Sequence, residues 1–238
     1  MKTEILGVKI DSLTEKEVVE AILRAIEDQK KLWIVTPNPE FVVAAQKDKF
    51  FRELLNQADL ALPDGFGLVL ASRLLGCKPP LKKRVSGADV VGQILRIAPA
   101  KGWRIGVAGA RGGDEKEGTN LIGKLKNKYP NLQIESLEGE LEGKTKYDFV
   151  FACQGMKRQE KWIWENLNKI NTSIFIGVGG SLDFFSGLTP RAPLWMRKMG
   201  MEWLWRLGLR PRTHPRRVYN ALVIFNWLVL RRKLGYRG

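Results

Sequence analysis

The spacing of apolar residues along the chain switches repeatedly between a helical period and short unbroken runs. Val18, Val19, Ala21, Ile22, Ala25 and Ile26 recur at helical intervals and predict a helix over 13–28, with Ser12 and Glu15 in the spacing of a capping box. The apolar run 32–35 reads as a buried strand, and Pro37 and Pro39 stop it. Strand and helix then alternate: helix 40–57, strand 60–62, helix 68–75, helix 88–98, strand 104–108, helix 114–129, strands 132–135 and 148–152, helix 158–167 and strand 173–178. Residues 1–14 mix charged with apolar positions, lack the continuous apolar stretch of an export signal, and read as a first strand.

Such alternation predicts an α/β fold, Rossmann-like and doubly wound, with a mainly parallel sheet. Ligands of these sheets bind beyond the carboxyl ends of the strands, so the loops after Val35, Leu62, Ala108, Ala152 and Val178 are expected on one rim. The 238 residues are enough for one main domain, a core over 1–190, with an appendage over 191–238.

Charge sets that appendage apart. The chain has 40 Lys and Arg against 25 Asp and Glu, a net +15, yet residues 191–238 hold twelve of the bases and a single acid, Glu202. Most of the basicity is therefore a local device on an otherwise balanced surface. Two apolar stretches share the segment, one around 194–207 and one over 218–230. Thirteen residues make a helix of about 20 Å against a hydrocarbon core of about 30 Å, so the second stretch is too short to span a bilayer. Flanked by Arg216, Arg217, Arg231, Arg232 and Lys233, it suits an amphipathic helix lying on an anionic membrane surface, with a core helix or a homo-oligomer contact as the competing reading.

Cys77 and Cys153 are too few for a disulfide framework and fit a cytoplasmic setting. With one histidine, His214, and no Asp-x-Asp pair, no metal site is expected. On the expected rim, Gly109 in the glycine-rich run 106–113 and Gly179 in 177–180 let backbone N–H groups approach a diphosphate, although any tight strand-to-helix turn uses the same residues. Asp183 can accept from a uracil or ribose donor. Asp64, directly after a short strand, is placed as a general base on a sugar hydroxyl, with a Pro-Asp-Gly turn as the plainer alternative. Thr36 and Asn38 offer a hydroxyl and an amide beside it. Arg84, Arg206, Arg212, Arg216 and Arg217 are candidates to neutralise a leaving diphosphate in place of a metal.

Two rival functions use parts of this pattern. An NAD(P)-dependent oxidoreductase would use the glycine run with Glu135 at a following strand end, but the strict G-x-G-x-x-G spacing is missing. A nucleic-acid or lipid-binding module would use the basic tail and its tryptophans, and leaves residues 1–190 unexplained.

The segments 36–41 (TPNPEF), 58–67 (ADLALPDGFG), 84–89 (RVSGAD), 155–162 (GMKRQEKW), 177–184 (GVGGSLDF) and 191–197 (RAPLWMR) together resemble the WecG/TagA/CpsF glycosyltransferases in order and spacing. The chain departs from that pattern at Met156, where proline is usual nearby, and over 211–217. The resemblance implies an inverting, metal-independent transferase without a cofactor, peripheral on the inner face of the cell membrane and not a nucleic-acid binder. Its donor would be UDP-N-acetylmannosamine or the uronic acid, and its acceptor the C4 hydroxyl of undecaprenyl-diphospho-N-acetylglucosamine. By the same resemblance Asp64 is the base, Thr36, Asn38 and Gln159 contact donor or acceptor, and Asp183 binds the uridine. Tail arginines reach the diphosphate, Arg206 with Arg212 before Arg216 and Arg217.

Overall fold

A computed structural model of the chain describes residues 1–137, 145–209 and 215–236. Strands β1 (Lys2–Ile5) and β2 (Val8–Asp11) come first, followed by α1 (Glu15–Glu27), β3 (Leu32–Val35), α2 (Pro39–Lys47), α3 (Lys49–Gln57) and β4 (Leu60–Ala61). Next come α4 (Phe66–Leu74), α5 (Gly87–Lys101), β5 (Arg104–Ala108), a 3₁₀ turn (Ala110–Gly113), α6 (Glu115–Lys128) and β6 (Gln133–Ser136). They are followed by β7 (Tyr147–Ala152), α7 (Arg158–Asn166), β8 (Thr172–Gly177) and α8 (Ser181–Ser186). The tail adds α9 (Leu194–Lys198), α10 (Glu202–Leu209), α11 (Pro215–Tyr219), a π-helical turn (Asn220–Ile224) and α12 (Phe225–Lys233).

The apolar runs read as strands form one six-stranded sheet among the described residues, in the order β4-β3-β8-β7-β5-β6, and every neighbouring pair is parallel. Alternate side chains of each strand face opposite layers. Trp33, Val35, Val150 and Phe175 pack with residues of α2, α3, α4 and α7, while Ile34, Phe149, Phe151 and Ile174 pack with residues of α1, α5 and α6. The result is the expected Rossmann-like three-layer arrangement, with all six carboxyl ends on one rim.

Three local expectations are corrected. The N-terminal segment is a two-stranded antiparallel hairpin outside the main sheet, turned at Leu6 and Gly7, both with positive φ. The capping box belongs to Thr14 and Glu17: the Thr14 backbone N–H donates to Glu17 Oε2 at 2.6 Å, and the Glu17 N–H donates back to Thr14 Oγ1. Ser12 has another partner, since its hydroxyl donates to the Pro80 carbonyl at 2.8 Å. The helix read over 40–57 is two helices, because Asp48 is extended and its carboxylate caps α3 by accepting the Phe51 N–H at 3.0 Å.

The tail reaches into the core. Phe225 and Val229 are fully buried against α2 and α4, whereas Trp227 and Leu230 on the same helix are more than half exposed. Among the described residues no helix is long and apolar enough to cross a membrane.

Candidate active site

The Asp64 loop continues the β3–β4 ladder beyond its last strand pair. The Leu62 N–H donates to the Val35 carbonyl at 2.8 Å and the Asp64 N–H to the Pro37 carbonyl at 2.9 Å, which ties the two rim loops together. Asp64 Oδ1 accepts from Arg84 Nε at 3.3 Å and Nη2 at 3.2 Å, and Oδ2 accepts from the Gly87 N–H at 3.3 Å. Gly87 is the first residue of α5, so the positive end of that helix dipole also faces the carboxylate. A side chain at Gly87 would place its Cβ 2.6 Å from Thr36 Cγ2, so only glycine allows this approach.

Arg84 is the hub. Its side chain is 15% exposed, Nη2 also donates to Glu202 Oε2 at 3.3 Å, and Nη1 donates to the Arg197 carbonyl at 3.4 Å. Burial alone would lower the Arg84 pKa, but the carboxylates of Asp64, Glu202 and Asp89 outweigh it and raise the pKa above its ordinary value. Beside this cluster lies a cavity of about 280 Å³ between core and tail. Asn38, Glu40, Asp64 and Arg84 line one side, and Glu202, Trp203, Arg217 and Leu222 the other.

A second group gathers at the ends of β5, β7 and β8. Gln159 is buried, accepts the Gly179 N–H at 3.0 Å through Oε1 and donates from Nε2 to Glu160 Oε1 at 2.7 Å. Glu160 also accepts the Lys157 N–H at 2.7 Å, and burial pushes its carboxyl up to about 7 against the pull of these hydrogen bonds. Gly109 has φ 64° and lies under Gln154, whose Oε1 is buried without a hydrogen-bond partner among the described residues. Asp183 is in the first turn of α8, and its charge adds to the burial that pushes the Cys153 thiol up. Thr36 spans the two groups: its hydroxyl donates to the Gly177 carbonyl at 3.3 Å while its methyl rests against Gly87.

The other candidates fall in varied places. Asn38 borders the cavity, but its Oδ1 caps α2 by accepting the Phe41 N–H at 3.1 Å. Arg217 Nε donates to both oxygens of Glu40, at 3.2 and 2.9 Å, and Arg216 is exposed on α11. Arg206 lies on α10 with its side chain outside what is described, and Arg212 lies outside the described residues. The N-terminus of α6 after the glycine run is capped by Asp114, which accepts the Glu117 N–H at 3.0 Å. Glu135 accepts the Tyr147 hydroxyl at 2.6 Å. Glu40, Glu202 and Glu160 also join these two groups, and the sequence did not single them out as candidates. Glu202 alone carried a signal, as the single acid of a basic tail.

A parallel sheet whose rim carries a cradled carboxylate, a buried guanidinium and glycine-lined loops has the layout of a Rossmann-like glycosyltransferase. The chain belongs to the glycosyl transferase WecG/TagA/CpsF family, whose pattern matches residues 3–238. It is 35% identical over 222 residues to the N-acetylglucosaminyldiphosphoundecaprenol N-acetyl-beta-D-mannosaminyltransferase of Staphylococcus aureus strain MRSA252, covering 86% of this chain and 84% of that protein. It is also 35% identical, over 217 residues, to the protein of the same name in Staphylococcus aureus strain NCTC 8325 / PS 47, with the same coverage.

Proposed function

We propose that this protein transfers N-acetylmannosamine, or its uronic acid, from UDP to the C4 hydroxyl of a polyprenyl-diphospho-N-acetylglucosamine, with inversion and without a metal, in the synthesis of a cell-surface polymer such as a teichoic acid linkage unit. The relatives' shared name supports the substrates. The observation that carries the mechanism is the cradle of Asp64, since Arg84, the Gly87 N–H and the α5 N-terminus all favour its ionised, base-competent form. Asp64 takes the acceptor hydroxyl proton as that oxygen bonds to the anomeric carbon, and the bond from that carbon to the diphosphate oxygen breaks, releasing UDP. Gly109, Gly179 and Asp183 hold the donor nucleotide, and Thr36 and Gln159 shape the loop between nucleotide and sugar. Tail arginines, among them Arg206, Arg212, Arg216 and Arg217, meet the diphosphate charge in place of a metal ion.

In this reading residues 191–238 are an appendage that docks the enzyme on the inner face of the cell membrane. Exposed Trp227 and Leu230, with Arg231, Arg232 and Lys233 alongside, support that role. The test is UDP release with a polyprenyl-diphospho-N-acetylglucosamine analogue and each donor, in the presence of EDTA. Turnover with one donor is expected. Asp64→Asn is expected to bind UDP normally and lose at least about a hundredfold in turnover; an unchanged rate removes Asp64 as the base.

A further inference from the structure

The acidic residue of the basic tail is aimed at the active-site arginine. Glu202 is 6% exposed, and its Oε2 and Asp64 Oδ1 accept from the same nitrogen of Arg84, at 3.3 and 3.2 Å. The Arg84 contacts to Asp64 and Glu202 measure 3.2 to 3.3 Å, longer than the roughly 2.7–2.9 Å of a committed charge-assisted pair, as befits a guanidinium drawn between two carboxylates. The carbonyl of Arg197 holds its third nitrogen from the tail side. Two neighbouring acids have tail arginines of their own: Asp89 takes Arg191 at 2.7 Å and Arg197 at 3.4 Å, and Glu40 takes Arg217. Arg84 is a core residue paired to the tail in the opposite sense, core cation to tail anion, at the point where the base lies.

We propose that Glu202 is a positioning residue for the transfer: by competing with Asp64 for Arg84 it loosens that ion pair, and so makes the seated tail part of the base's environment. This rests on Asp64 being the base. Arg84 keeps Asp64 ionised and so able to accept a proton, but an Arg84 given wholly to Asp64 would hold the carboxylate more firmly in that form and make it a weaker proton acceptor. A second carboxylate on the same guanidinium weakens that hold and adds like-charge repulsion, which increases the affinity of Asp64 for a proton. Among the described residues, the charged groups around Asp64 include Arg84, Asp89 and the N-terminus of α5 from the core, Arg197 and Glu202 from α9 and α10, and Glu40 with Arg217 across the cavity. Among them Glu202 is the tail carboxylate that touches the guanidinium Asp64 uses.

The experiment is the pH profile of kcat/KM on the full chain with the lipid acceptor analogue, for the wild type, Glu202→Gln, Glu202→Asp and Asp64→Asn, with UDP binding measured alongside. Glu202→Gln keeps shape and removes charge. Its acid limb is expected to move to lower pH by about half to one unit and its plateau to fall about two- to threefold, with UDP affinity unchanged. Glu202→Asp keeps the charge and is expected to leave the limb in place. An inactive Asp64→Asn together with an unshifted limb in Glu202→Gln overturns the role of Glu202. An active Asp64→Asn instead overturns Asp64 as the base, whatever Glu202 does. A limb that shifts equally in Glu202→Asp makes the residue a packing element and also overturns the proposal.

Discussion

Gln159 and Glu160 are adjacent in sequence and do different work. Both polar ends of the Gln159 amide are engaged inside the protein, one on Gly179 and one on Glu160, so the pair fixes the shape of the glycine turn after β8. The cost falls on Glu160, which is buried and has its carboxyl pushed up to about 7. Between about pH 4.5 and 7 the folded protein holds a proton that the unfolded chain has released, so this group makes stability fall as pH rises through that window and level off above it. Glu160→Gln removes the titration. The unfolding free energy of the wild type minus that of the variant should therefore drop by up to roughly 3 kcal/mol from pH 4.5 to 8, whatever its constant offset. Urea unfolding at four pH values checks this, and a flat difference would refute it. Asp64 stands out in the sequence because it directly follows a short strand on the expected rim, but the Pro-Asp-Gly turn gives it a plainer reading, and its role as base comes from the family resemblance. The contacts of Glu202 and Glu40 were not legible, because their partners lie 118 and 177 positions away.

At the scale of elements, the strands were readable because most are short apolar runs closed by a turn and β6, Gln-Ile-Glu-Ser, alternates polar with apolar, signals confined to a few neighbouring residues. Boundaries were harder. Asp48 sits inside an unbroken helical pattern, and only its cap to Phe51 and its ion pair with Lys157 at 2.8 Å reveal the break. The apolar stretch 218–230 suits an interfacial helix, a core helix or an oligomer contact, and in the structure its Phe225 and Val229 are buried while Trp227 and Leu230 are more than half exposed. Phe225 lies against Gly67 of α4, where an added Cβ would be 3.6 Å from the ring. Phe225→Ala should cost about 3–5 kcal/mol by opening a cavity at that seam. A lowered urea midpoint checks the value, and a change under about 1 kcal/mol would show that the tail's grip lies elsewhere.

For the whole molecule, the proposed docking role of the exposed face of α12 can be tested apart from the packing of its buried face. Trp227→Glu combined with Leu230→Glu should leave stability within about 1 kcal/mol, since both side chains are more than half exposed. Binding to vesicles rich in anionic lipid should fall at least about tenfold, which a sedimentation assay measures; undiminished binding would place the docking face elsewhere. The fold class was legible from alternation alone, but the placement of the tail was not, because its buried side chains and its ion pairs take their meaning from the surface they meet. That surface includes the cavity, whose walls come from residues 38–84 on one side and 200–226 on the other. A small molecule filling it would touch both, and at a hundredfold excess over its dissociation constant would add about 2.7 kcal/mol to the stability of the folded protein with its tail seated. Such a compound would act as a molecular glue, raising the melting temperature while it occupies the space beside Asp64.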